Sequence, residues 1–305
     1  MSKIKYLDIN FRGRSLQIIE KANEIIAEYQ ADGLELTLRQ LYYQFVSRDL
    51  IPNKDSEYKK LGSIINDARL AGLIDWLAIV DRTRNLQKNS HWETASDILD
   101  SAEASFAVDK WQGQETRCEV WIEKDALVGV IERPCRELDV PFFSCRGYTS
   151  QSEMWVAATR MQKYFKDCER VVVFHFGDHD PSGIDMTRDI EQRLNMLSGR
   201  GLSMKQDDVQ IEVIRVALTR AQIQKYNPPP NPAKITDSRS RNYIREHGHE
   251  SWELDALEPR VLAELVKKNV KSVLDMEKWL HWEAKEDKEK EFIHAVAAKH
   301  RREHK

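Results

Sequence analysis

Cysteine, proline and glycine are all sparse in this chain, at 4, 9 and 12 of 305 residues. The four thiols (Cys118, Cys135, Cys145 and Cys168) form no CxxC pair and have no histidine at ligand spacing. That excludes a zinc cradle or a disulfide frame and indicates reduced, mostly buried cysteines. So little proline and glycine excludes a collagen-like or low-complexity chain. No run of about 18 apolar residues occurs, so no membrane-spanning helix is expected. The opening MSKIKYLDINFRGR has neither the apolar core nor the small-residue cleavage site of a secretory signal. A dominant charge is missing too. With 47 Lys and Arg against 50 Asp and Glu, the formal net charge is −3, so any nucleic-acid surface must be local. These absences point to a cytoplasmic protein, associated with the nucleoid if it binds DNA.

What is present is a globular composition, 41% hydrophobic and 32% charged, on a length that suits two domains. Residues 1–88 read as three short helices and a strand-like tail. Ile18, Ala22, Ile25, Ile26 and Tyr29 recur at helical spacing. TLRQLYYQFVSRDL (37–50) follows, with Thr37 as N-cap, and a third helix covers 56–71. LIDWLAIVDRTR (73–84) alternates like a hairpin or wing, completing a helix-turn-helix or winged-helix pattern. Residues 89–117 read as a polar connector with one helix near 93–106. From 118 to 305 the pattern changes. CEVWIE (118–123), VPFFSC (140–145), RVVVFHF (170–176) and VQIEVIRVAL (209–218) are strand-like runs. Helical stretches at 125–138, 152–166 and 184–197 alternate with them, which predicts a mixed α/β class with a parallel sheet. NPPPNP (227–232) is a stiff extended segment, and two C-terminal helices follow, at 259–269 and 272–300.

The sharpest local signal is FHFGDHDPSG (174–183). Asp178 and Asp180 follow an apolar strand at i and i+2, so both carboxylates can face one cation. Asp180-Pro181 then opens a helix, with Asp180 as N-cap and Pro181 at N1. In VWIEKDAL (120–127), Glu123 also ends a strand and precedes Lys124. In open parallel sheets ligands bind at these carboxyl ends. Three carboxylates converging there repel unless a divalent cation binds them, and oxygen-only ligation suits Mg²⁺ or Mn²⁺. The plain alternative is a helix cap plus an unrelated surface glutamate.

Glu at the end of the first strand, followed by D-x-D-P-x-G after a later one, resembles the Toprim domain shared by topoisomerases, primases and some nucleases. The resemblance implies that Glu123, Asp178 and Asp180 hold Mg²⁺ during phosphodiester cleavage. TLRQLYYQFV (37–46) in turn resembles the Arg-x-x-Tyr-Tyr motif in the winged helix of the topoisomerase VI A subunit and its meiotic double-strand-break relatives. That family is type IIB, and this chain is most similar to its short bacterial and mobile-element members. SWELDAL (251–257) adds a weaker similarity to a segment after the Toprim core. The resemblance implies that Tyr43 is the nucleophile forming a 5′-phosphotyrosyl bond, with Tyr42 as the substitute. It also implies a homodimer on double-stranded DNA, each Tyr working with the partner's Toprim. No Walker A or ATPase-lid pattern is present, so ATP-driven strand passage requires a separate ATPase subunit.

Spacing gives Arg39 a role of its own. Arg39 and Tyr43 are i and i+4 on a helix, which sets the guanidinium beside the phenol. An unperturbed phenol has a pKa of about 10 and needs a nearby cation to become a nucleophile. The same guanidinium suits a phosphate in forked geometry, with Lys124 neutralising further oxygens. From Lys59 to Lys88 six basic residues (Lys59, Lys60, Arg69, Arg82, Arg84, Lys88) face three acids, a local excess that suits phosphate contacts. Arg146, Lys234, Arg239 and Arg241 are further candidates, and the His247/His249 pair reads as a surface turn. The expected activity is Mg²⁺-dependent DNA cleavage by tyrosine transesterification. Two alternatives stay open: a hydrolytic Toprim nuclease, and a non-catalytic winged-helix DNA-binding protein.

Overall fold

The computed structural model describes residues 3–80, 89–199, 211–233, 237 and 239–303. Arg82, Arg84, Lys88 and Lys234, with the end of the expected wing, lie outside the described residues. The fold is mixed α/β. Among the described residues no helix is long and apolar enough to cross a membrane.

Three helices form the N-terminal part: α1 (Arg14–Ala31), α2 (Leu38–Ser47) and α3 (Asp55–Leu70). The apolar stripe of α1 is buried as its spacing predicts, from Ile18 to Tyr29. Thr37 and Gln40 close a reciprocal capping box that starts α2. This helix stops three residues earlier than expected, because Asp49 adopts φ 55° and Leu50 N–H turns back to Phe45 O at 2.9 Å. The hairpin expected over 73–84 is not formed in its described part. Residues 73–80 are mainly turns, with one parallel bridge from Ile79 to Leu36. Both residues are buried with α1–α3 in one apolar cluster, which also takes in Ala256 from far along the chain.

The sheet has four parallel strands in the order β2-β1-β3-β4: β1 (Thr116–Ile122), β2 (Phe142–Ser144), β3 (Arg170–Phe176) and β4 (Ile211–Ala217). Strand alternation divides the core in two. Val120, Ile122, Val172, Phe174 and Phe176 pack beneath α5 (Val128–Glu137) and α10 (Pro259–Lys271). Trp121, Val171 and Val173 pack with α6 (Gln151–Tyr164) and α7 (Pro181–Leu197) on the other face. Helices on both faces explain why the strands read as continuous apolar runs. A short 3₁₀ turn, Asp125–Leu127, splits off the start of the helix expected at 125–138.

Two helices were not anticipated: α8 (Arg220–Tyr226), capped by Thr219 and Gln222, and α9 (Ser240–His247). The extended proline segment ends in a two-residue antiparallel pairing with Glu250–Ser251. The last two helices break at 272–275, so α11 runs Met276–Glu303. The helix of the expected connector, α4 (Ala95–Ser105), lies along α11, with Arg301 bonded to Asp100 and His294 to Glu103. All four cysteines are free, three of them buried.

Candidate active site at the carboxyl ends of the strands

The register Ile122↔Phe176 ends β1 and β3 at the same level, and Glu123 N–H donates to Phe176 O at 2.8 Å. Glu123 therefore stands beside Gly177-Asp178, and its Oε2 accepts the Asp178 N–H at 2.8 Å. Gly177 allows that approach, since a Cβ there would meet Glu123 Oε2 at 3.0 Å. Asp180 caps α7, its Oδ1 accepting from Gly183 N–H at 2.6 Å and Ser182 Oγ at 2.9 Å. The Gly of the D-x-D-P-x-G run is required, because a Cβ on Gly183 would collide with the Asp178 carbonyl. Arg215, from β4, underpins the loop, donating to Gly177 O at 3.1 Å, Gly183 O at 2.7 Å and Asp178 O.

The electrostatics of this loop are strained. Burial, then the charge of Asp178, pushes the Glu123 carboxyl up to about 7, with Asp180 adding to the effect. Burial also lifts Asp178 to about 6, although Lys124 and the Leu254 N–H oppose it. Lys124 Nζ lies 3.1 Å from Asp178 Oδ2, 2.9 Å from Glu253 Oε2 and 3.6 Å from Asp255 Oδ2. Burial disfavours the ammonium, but these three acids hold its pKa above the usual lysine value.

Glu253 is the link to the tyrosine helix. Arg39 Nη2 donates to its Oε1 at 2.9 Å and its Oε2 at 2.7 Å, while Arg39 Nε lies 3.4 Å from Asp255. Burial works against ionisation of Glu253, yet Lys124 and Arg39 prevail and hold the carboxyl down at about 2. The Arg39 guanidinium lies 5.7 Å from the centre of the Tyr43 ring, as the i, i+4 spacing requires. Tyr43 is only 2% exposed, its hydroxyl bonded to Asn231, and burial raises it to about 12. Tyr42 instead donates to Asn53 Oδ1 at 3.0 Å and Lys54 O at 3.2 Å, which fits a structural tyrosine.

Among the described residues, no group of three or more His, Cys, Asp or Glu side chains is arranged to grip a metal ion. The side chains at the rim are all carboxylates, the oxygen donors a hard cation takes: the charge of Asp178 raises Glu123, and Asp180 raises both. As the side chains stand, Lys124 supplies part of the compensating positive charge.

The remaining expected contacts are dispersed. Lys59 and Lys60 lie along α3, where Lys59 pairs with Asp55 and Lys60 with Glu57. Arg69 is turned onto the Trp76 ring at 4.8 Å and donates to Trp76 O. Arg146, at φ 52°, pairs with Asp125 beside the rim. Arg239 bonds Asp185 and stacks 5.0 Å from the Tyr148 ring, and Arg241 is exposed on α9. His247 stands 4.9 Å from the ring of buried His179, so it belongs to an aromatic group with Tyr243 rather than to a free turn. Sequence reasoning missed Glu253, Asp255 and Arg215. The E-x-D spacing inside WELDAL was the available signal for the first two. No protein-family model matches the chain, and comparison with curated proteins gives no match.

Proposed function

We propose that this chain cuts DNA strands at the rim formed by Glu123, Lys124, Asp178 and Asp180, with Tyr43 as nucleophile. Under this proposal α1–α3 form a winged-helix-type DNA-binding part, and the sheet is a Toprim-type domain. One observation carries it: charged groups from two strand ends and from the tyrosine helix meet at one place, through the chain Arg39–Glu253–Lys124–Asp178.

Each residue then has a task. Arg39 and Lys124 bind the non-bridging oxygens of the scissile phosphate. Glu123, Asp178 and Asp180 would hold Mg²⁺ or Mn²⁺, which would supply positive charge to the phosphate. Tyr43 Oη loses its proton and bonds to phosphorus as the bond to the 3′ oxygen breaks. That oxygen takes up a proton as it leaves, and the proton lost by Tyr43 passes to solvent. Burial and the charge of Glu253 raise the Tyr43 phenol to about 12, and Arg39 opposes that rise without overcoming it, so displacement of Glu253 would ease its ionisation. In this reading Tyr43 acts with the carboxylates of its own chain, not with the partner's as the resemblance implies; a homodimer would make one cut per strand, and strand passage would need a separate ATPase subunit.

The burial of Tyr43 favours a second reading, in which water attacks the phosphate and both tyrosines are structural. One assay separates the two. End-labelled duplex DNA is incubated with the protein and Mg²⁺ and resolved on denaturing gels. Transesterification leaves protein on 5′ ends, and Tyr43→Phe abolishes it. Cutting without an adduct, unchanged in Tyr43→Phe, establishes hydrolysis. No cutting with Mg²⁺ or Mn²⁺ refutes both.

A further inference from the structure

We infer that Arg39 and Lys124 form a ready-made seat for one phosphate group, and that the Glu253 carboxylate fills it as an internal stand-in which nucleic acid displaces. The inference rests on the cleavage reading for its substrate class, but its geometry is independent of any chemistry at Tyr43.

The Glu253 carboxylate accepts three charge-assisted hydrogen bonds, two from Arg39 (2.9 and 2.7 Å) and one from Lys124 (2.9 Å). Two oxygens engaged by a guanidinium and an ammonium are what a phosphodiester also presents through its non-bridging pair. The seat does not depend on Glu253 for its shape. Deeper acids hold both cations: Asp255 lies 3.4 Å from Arg39 and 3.6 Å from Lys124, and Asp178 lies 3.1 Å from Lys124. Asp255 has only 3% of its side chain exposed, and Asp178 10%.

Glu253 differs from both in being able to leave. Its side chain is 27% exposed, and it precedes the 3₁₀ turn Leu254–Ala256 in an extended backbone. That turn is anchored separately. Leu254 N–H donates to Asp178 Oδ1 at 2.7 Å, and Ala256 is buried in the N-terminal core. The Glu253 side chain can therefore swing to solvent while its backbone stays in place. Two cations here face three carboxylates, so an incoming phosphate enters readily only when one acid departs, and Glu253 is the most exposed of the three.

The test titrates inorganic phosphate into the metal-free full chain by calorimetry at low ionic strength. Vacating the seat frees charge-assisted hydrogen bonds for the ligand, so Glu253→Ala should bind phosphate roughly 10- to 100-fold more tightly than wild type. Glu253→Gln should also gain affinity, and it serves as the test should the alanine variant not fold, as judged by circular dichroism. Adding Arg39→Ala to either variant should remove the gain. Unchanged or weaker phosphate binding in a folded Glu253 variant overturns the inference. A gain in affinity in a protein that never cuts DNA would keep the seat and refute the cleavage reading. A Tyr43 adduct with no gain would do the reverse.

Discussion

Replacing Glu123 by Gln removes a carboxylate that the fold holds at a cost. Its pKa rises from 4.5 in the unfolded chain to about 7 in the native one, through burial first and the charge of Asp178 second. Between those values the native state binds more protons than the unfolded state, so stability falls as pH rises across that window. Below pH 4.5 Glu123 is neutral in both states and costs nothing. Above pH 7 the full cost is present. The difference corresponds to at most ~3 kcal/mol at 1.36 kcal/mol per unit, and side-chain relaxation brings the expected effect to about 1–3 kcal/mol. Gln retains an oxygen to accept the Asp178 N–H, so the bond made by Glu123 Oε2 at 2.8 Å survives. The variant should come close to wild type near pH 4 and exceed it at pH 8, with a Tm higher by a few degrees. The assay is thermal unfolding in chelator at both pH values. Loss of stability at pH 8, or the same difference at both pH values, would refute the view that uncompensated charge burdens this site.

Other substitutions separate structural roles from chemical ones. Asp180→Ala loses the cap of α7 and should cost about 1 kcal/mol in urea unfolding, whereas Asp180→Asn should keep the cap. Both should lose DNA cutting. Tyr42→Phe forfeits the bonds to Asn53 and Lys54 and should cost about 1–2 kcal/mol with cleavage retained, as measured by urea unfolding and the DNA gel assay.

Much of the rim was legible in sequence because it is local. An apolar strand followed at once by acid, proline and glycine dictates both the cap on α7 and the position of the carboxylates. The tyrosine helix was equally legible, since Thr37 and Gln40 lie within one turn. Partners came out less well. Arg39 was expected beside a phenol and a phosphate, but its Nη2 bonds both carboxylate oxygens of Glu253, 214 residues away. Arg215 sits in an ordinary strand pattern, and only the β3–β4 pairing brings it under the Asp178 loop. Helices α8 and α9 are too short for periodicity to reveal them, spanning 7 and 8 residues. The expected wing failed in its described part because alternation over 73–80 reflects residues packing individually against α1–α3, not a ladder.

The claim beneath the whole account is that Glu123, Asp178 and Asp180 together bind a divalent cation, and Mn²⁺ binding followed by electron paramagnetic resonance tests it directly. One ion should bind per chain at pH 8. Binding should be about tenfold weaker at pH 6, where Glu123 is mostly protonated, and absent in Asp178→Asn. No Mn²⁺ uptake by the folded wild type, or uptake unaffected by Asp178→Asn, would contradict it.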